Sequence, residues 1–354
     1  MEAGTRAPSA APTEPRRGHI LFERFESRVL AGNPAGDPAT RTIPLYLPPS
    51  YATEPNRRYP VIYVLSGFTG RGRMLLNDNA WSPALDERMN ALIAHGCDET
   101  ILVMPDCFTK FGGSQYLNSS ATGPYEDHLI SELVPWVDRH YRTFPQRGQR
   151  GIVGKSSGGY GALALGMRHA DVFGAVGSHS GDMLFDYCYR GDVPEFCTTV
   201  RNAGGLEAWW RAFQAARQKR QADMDALNIL GMAAAYSPNP ATQPFGIDLP
   251  IDLDTGAWRD DVWQRWLAHD PLRMLDAHAD ALRSLQLLYL DAGTRDEWHL
   301  HLGLMQFTRA LDRLGIAHHA EYFDDGHMNV PYRYDVSLPM MARALSAGGA
   351  PERP

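Results

Sequence analysis

The sequence predicts an α/β fold: a mostly parallel central sheet, helices on both faces, and a helical insertion late in the chain. Three observations predict it. Short runs such as 59–65, nearly all apolar and β-branched, and the largely apolar 285–290 read as strands buried on both faces of a parallel sheet. Amphipathic helical patterns separate those runs. The alternation breaks at about residue 182 and resumes at about 271, so the stretch between reads as an inserted cap.

The chain has 354 residues, enough for one large domain with an insertion. Hydrophobic residues make up 44% and charged residues 21%, an ordinary globular balance. A formal net charge of −7 argues against a nucleic-acid partner or a polybasic membrane contact. No apolar run reaches the length of a membrane span.

Taken in order, residues 1–19 are rich in Ala, Pro and Arg and lack a hydrophobic centre. They read as a disordered tail rather than a secretory signal, on a cytoplasmic protein. Residues 20–181 form the first part of the core. Strands are expected over 20–47, broken by the turn at Gly32–Pro38, and then at 59–65 and 99–104, with a helix at 84–95 between the last two. Residues 125–141 read as one amphipathic helix, with Leu129, Leu133, Trp136, Val137 and His140 on a single face. A strand follows at 173–178, with His179 just beyond it in a structural role.

The cap spans 182–270. Leu206, Trp209, Trp210 and Phe213 share one helical face, and Val262, Trp263 and Trp266 another. Core packing is the simplest role for these aromatics, with roofing of an apolar pocket as a second. Residues 271–346 complete the core: a strand at 285–290, a helix through Leu304, Phe307, Leu311 and Leu314, a strand at 319–323 and a closing helix at 336–346. Residues 347–354 read as a loose tail.

The chain is organised around Gly154-Lys155-Ser156-Ser157-Gly158, set between a β-branched run and a Gly- and Ala-rich helical pattern. This is the strand–turn–helix setting of the G-x-S-x-G nucleophile elbow, which exposes a serine hydroxyl on a strained turn. A phosphate-binding P-loop fails on register, because it needs Gly at position 149, which is Gln.

A serine hydroxyl needs a base, and the base needs an acid to hold its tautomer. In an α/β-hydrolase fold the chain order is Ser, acid, His. His327, after the last strand and a Gly, is the expected base. Asp296 leads for the acid, because Gly293-Thr294-Arg295 can turn it back to the sheet edge, with Glu297 and Asp291 behind it. The N–H of Ser157 is one expected oxyanion donor. The loop Ser66-Gly67-Phe68-Thr69-Gly70 supplies the other, from Phe68 first and Gly67 next. The polar, aromatic loop 112–120, with Tyr116, lies on the same edge and is expected to help line the substrate site.

His299, His301, His318 and His319 do not form a zinc motif, so no metal and no cofactor are expected. Cys97, Cys107, Cys188 and Cys197 show no C-x-x-C pair and read as free thiols.

Several stretches resemble the family known as "Putative esterase". They are Pro44-Leu45-Tyr46-Leu47-Pro48-Pro49, 59–67, Glu132-Leu133-Val134-Pro135, the elbow with Gly158-Gly159-Tyr160-Gly161, and Gly326-His327. That family holds esterase D (S-formylglutathione hydrolase), feruloyl esterases, enterochelin esterases and the antigen 85 mycolyltransferases. The resemblance implies an α/β-hydrolase fold and acyl transfer from serine. It assigns Ser156 as nucleophile, Asp296 as acid, His327 as base, and Phe68 and Ser157 as oxyanion donors. Gly70 stands where esterase D carries Cys, and the cap is longer than its counterpart. The expected function is hydrolysis of carboxylic esters, aryl or hydroxycinnamoyl esters among them, with a small-molecule ester as partner and homo-oligomer formation left open. The alternatives are an acyltransferase that uses an alcohol in place of water, and an inactive binding module.

Overall fold

The computed structural model describes residues 17–347. The expected tails at 1–16 and 348–354 lie outside them. The centre is an eight-stranded sheet. Its strands are β1 (His19–Glu26), β2 (Thr40–Leu47), β3 (Val61–Leu65), β4 (Ile101–Val103), β5 (Arg150–Lys155), β6 (Ala175–His179), β7 (Leu287–Gly293) and β8 (His319–Phe323). The spatial order is β1-β2-β4-β3-β5-β6-β7-β8. β2 runs antiparallel to both its neighbours, and every other neighbouring pair is parallel.

Burial follows from this order. Every residue of β3 and β6 is buried, which is why their sequences carry no polar alternation. Register lines up the strand ends that matter: Leu65 pairs Gly154, Lys155 pairs His179, and His179 pairs Asp291. The Ser156 turn, the β3 loop and the β7 loop therefore leave the sheet along one edge, where open α/β sheets hold their ligands.

The helices named here are α1 (Leu85–Ala94), α2 (Ser157–Arg168), α3 (Val193–Asn202), α4 (Leu206–Ala215), α5 (Gln221–Tyr236), α6 (Asp260–Leu267), α7 (Leu300–Arg313) and α8 (Tyr334–Ala347). α3 to α6 lie between β6 and β7, where the alternation breaks. Trp209, Trp263 and Trp266 are fully buried there, in one apolar cluster with Tyr236, Phe111 and Tyr160. These aromatics hold the inserted helices to each other and to the core.

The segment 125–140 departs from the single regular helix expected for it. Its middle, His128–Leu133, is wound as a π-helix just before Pro135. Proline lacks an N–H and its ring collides with the carbonyl four residues back, so the wider turn relieves both problems. The rewinding also breaks the 3.6-residue face, and His140 lies exposed, stacked on Trp136, with Nδ1 bonded to the Trp136 carbonyl. Glu132, in the widened segment, takes the Ser27 hydroxyl at 2.5 Å and the Arg28 N–H at 3.0 Å, which ties the β1–β2 connection to this helix.

Candidate active site

The elbow glycines are explained by close approach. A Cβ on Gly154 would stand 2.4 Å from the Gly158 carbonyl, and one on Gly158 would stand 2.3 Å from the Leu65 carbonyl oxygen. Only glycine lets β5, α2 and the end of β3 come this close. Ser156 sits between them at φ 60° and ψ −129°, a conformation an L-residue keeps only when its surroundings enforce it. Its N–H donates to the His179 carbonyl at 2.9 Å, and its own carbonyl accepts the Tyr160 N–H at 2.9 Å.

His327 Nε2 stands 2.9 Å from Ser156 Oγ, and His327 Nδ1 stands 2.7 Å from Asp296 Oδ2. A carboxylate at Nδ1 keeps the proton on that nitrogen and leaves Nε2 free to accept from the serine hydroxyl. Asp296 is 2% exposed. Burial alone would raise its carboxyl. The His327 hydrogen bond and charge, with the Trp298 and Leu300 N–H groups, outweigh burial and leave it below the usual carboxylate range.

The three acids that sequence reasoning kept open have three separate jobs. Asp296 holds His327 Nδ1. Glu297 accepts the backbone N–H of His327 at 2.7 Å. Asp291 belongs to β7 and faces away from the site, where it binds His179 Nδ1 at 2.9 Å and Arg333 Nε at 2.8 Å.

His179 itself lies in β6 rather than beyond it, because the strand runs one residue further than the expected 173–178. Its ring is buried between Asp291 and the Ser337 hydroxyl, which is 2.8 Å from Nε2. The residue whose carbonyl holds the Ser156 N–H is thus itself anchored at both ring nitrogens.

The β3 loop passes directly over Ser156, since a Cβ on Gly67 would stand 3.3 Å from Ser156 Cβ. The loop closes with Gly70 N–H on Gly67 C=O and Thr69 N–H on Gly112 C=O, both at 2.9 Å. The Phe68 N–H and the Ser157 N–H make no hydrogen bond to the protein among the described residues, so both are free for a ligand oxygen. The Phe68 ring is seated among glycines. A Cβ on Gly112 would stand 2.4 Å from it, and one on Gly231 of α5 would stand 2.8 Å from it.

Tyr116 is a correction. It is buried, its ring lies against Gly161 of α2, and its hydroxyl donates to the Ser66 carbonyl at 2.6 Å. It braces the β3 loop from behind instead of lining the cavity above Ser156.

That cavity measures about 310 Å³. Gln221, Met224, Asp225 and Asn228 reach it from α5 at i, i+3, i+4 and i+7, one face of that helix. Phe68, Tyr189 and Trp298 add aromatic surface, and Asp182 and Lys155 add charge. The cap tryptophans of the sequence reading are absent from its wall, because they are spent on the cap's own core. Asp182, Tyr189 and Trp298 were missed. The signal that could have found Asp182 is its place just after β6, on the same edge as the elbow.

Lys155 lines this cavity and a second one of about 440 Å³ behind the β3 loop. Burial pulls its pKa down to about 8 against the opposing pull of Asp296, Asp182 and Glu297. A lysine with a lowered folded pKa destabilises the fold below that pKa, and the cost fades as pH rises toward the unfolded value of about 10.4. Lys155→Met is expected to raise stability at pH 7 by about 3 kcal/mol, from about 1.4 kcal/mol per pKa unit. The gain shrinks between pH 8 and 10. Urea unfolding across that range checks it, and an equal gain at both ends would contradict it.

Among the described residues no group of three or more His, Cys, Asp or Glu side chains could hold a metal. His318 bonds the Ile316 carbonyl, and His319 pairs with Glu321. All four cysteines are free. No helix among the described residues is long and apolar enough to cross a membrane.

The comparisons agree with this architecture. The family model described as "Putative esterase" matches residues 38–327. An esterase of Mycobacterium tuberculosis is 24% identical over 94% of this chain, and the chain spans 62% of that relative's length. Among solved structures, a ferulic acid esterase superposes with a TM-score of 0.60 at 19% identity, covering 93% of this chain and 99% of its own. An S-formylglutathione hydrolase from Agrobacterium tumefaciens gives 0.57 at 16% identity, covering 95% and 99%. At these identities the structures establish a shared α/β-hydrolase fold, and the family match establishes kinship: the chain belongs to the "Putative esterase" family and is an esterase-family α/β-hydrolase.

Proposed function

We propose that this chain hydrolyses carboxylic esters through an acyl-enzyme on Ser156. The observation that carries the reading is the unbroken line Ser156 Oγ–His327 Nε2 at 2.9 Å and His327 Nδ1–Asp296 Oδ2 at 2.7 Å, beneath two unclaimed N–H groups. His327 takes the hydroxyl proton as Ser156 Oγ attacks the ester carbonyl. The carbonyl oxygen becomes an oxyanion between the N–H groups of Ser157 and Phe68, each worth roughly 3–4 kcal/mol at comparable sites. The proton on His327 then goes to the departing alcohol. Water, activated by the same imidazole, cleaves the acyl-enzyme and frees the acid.

Aryl and hydroxycinnamoyl esters are the proposed substrates. Phe68, Tyr189 and Trp298 around the cavity support this, since flat apolar faces suit an aryl group. The four free thiols support a cytoplasmic setting, where thiols stay reduced.

A fluorophosphonate probe tests the mechanism. The expected result is one covalent adduct per chain, on the peptide holding Ser156, with loss of activity against 4-nitrophenyl butanoate and methyl ferulate in step. Ester turnover that survives full labelling, or an adduct elsewhere, would overturn it. Product analysis with an added alcohol separates hydrolysis from acyl transfer.

A further inference from the structure

Asp182 is buried to 6% exposure in the loop after β6, and it lines the cavity above Ser156. Its Oδ2 is crowded: it accepts the Ser157 hydroxyl at 3.1 Å, the Tyr189 hydroxyl at 2.7 Å and the Gln115 amide at 3.2 Å. Among the described residues no donor reaches Oδ1, and no Arg or Lys forms an ion pair with this carboxylate. Oδ1 is not one of the side-chain atoms sealed from solvent without a partner, so this oxygen stays open to a donor arriving in the cavity. Burial raises its carboxyl, and the Tyr189 hydrogen bond, the His327 charge and the Gln115 and Ser157 hydrogen bonds only partly offset this.

Position makes the vacant oxygen informative. The Ser157 side chain is bonded to Asp182, and the Ser157 backbone N–H faces the place where a reacting carbonyl would sit. Asp182 Oδ1 is therefore within one side chain's reach of the ester. Lys155, Asp182 and Asp225 line the same cavity, so a charged substrate group of either sign would meet a like charge there. A neutral donor meets no such opposition.

Resting on the serine-esterase reading above, we propose that the site selects esters bearing a hydroxyl group beside the ester carbonyl, with Asp182 Oδ1 as its acceptor. The hydroxyl can sit on the acyl chain or on the alcohol. The chemistry is the same, and two pairs of substrates separate the sources.

The experiment compares kcat/KM for 4-nitrophenyl 3-hydroxybutanoate against 4-nitrophenyl butanoate, and for 2-hydroxyethyl butanoate against ethyl butanoate. The wild-type chain is expected to favour the hydroxylated ester by about tenfold or more in one pair, since a hydrogen bond to a charged group is lost with the plain ester. In Asp182→Asn the amide oxygen replaces Oδ2 toward Ser157 and Tyr189, and the amide N–H₂ faces the cavity. A donor then meets a donor, so the preference should vanish or reverse. A wild-type ratio near one in both pairs, or a ratio that Asp182→Asn leaves intact, would overturn the proposal. Should that variant not fold, Tyr189→Phe frees Oδ2 from one donor and loosens the carboxylate. It is expected to lower the ratio, whereas a purely structural Asp182 would slow both esters equally. Failure of the underlying reading looks different: neither member of either pair is then turned over in a Ser156-dependent way.

Discussion

Ser156→Ala is expected to lower kcat on a simple ester by about a millionfold and to leave the fold intact, the scale seen when a catalytic serine is removed from other hydrolases. The structure explains why the loss stays confined to chemistry. Alanine keeps the Cβ, so the φ of 60° costs the variant what it costs the wild type. The backbone bonds that hold the turn, Ser156 N–H to His179 and Tyr160 N–H to Ser156, involve no side-chain atom of Ser156. Only the hydroxyl contact with His327 Nε2 is lost. Residual catalysis of about a thousandfold over water should remain, because the Phe68 and Ser157 N–H groups are untouched. Urea midpoints and kcat measured together check this. A kcat within a hundredfold of wild type would remove Ser156 from the mechanism.

Asp296→Asn is expected to lower kcat by about ten-thousandfold with little change in KM. Asparagine keeps an oxygen for the Trp298 and Leu300 N–H groups, so the loop holds its shape. Its amide N–H₂ cannot accept from His327 Nδ1, so the imidazole proton moves to Nε2 and faces the serine, where it blocks proton removal. Glu297→Gln is the control. Its contact is to the backbone N–H of His327, which an amide oxygen still satisfies, and less than about a tenfold loss is expected. Equal losses in the two variants would mean that Asp296 acts only as a loop fastener. Because serine, base and acid work as a unit, adding Asp296→Asn to Ser156→Ala should cost little more.

Much of this site could be read before the structure was in hand, for physical reasons. Strands buried on both faces must be apolar throughout, so β3 and β5 stand out. The elbow glycines are dictated by atoms 2.3–2.4 Å from an absent Cβ, so they cannot be disguised by substitution. The order of acid and base follows from the sheet's connectivity. What escaped reading depends on contacts between distant residues. Nothing local shows that Tyr116 faces the Ser66 carbonyl or that Asp291 is claimed by His179 and Arg333, whereas the inward turn of the aromatic residues of α4 and α6 follows from their helical spacing. The π-helical segment was legible in principle, since Pro135 sits in the middle of the run, but the period of the apolar residues outweighed it.

The seat of Phe68 has an evolutionary consequence. An inserted segment is usually free to be exchanged, because it shapes what enters a site and leaves the chemistry to the core. Here Gly231, deep in that segment, is one wall of the socket that holds the loop carrying the Phe68 N–H. A graft from a relative that brings any larger residue to this position would collide with the Phe68 ring and displace it from its seat. Exchange of the inserted segment would therefore act on the loop above Ser156 as well as on the cavity wall, through a residue with no side chain of its own.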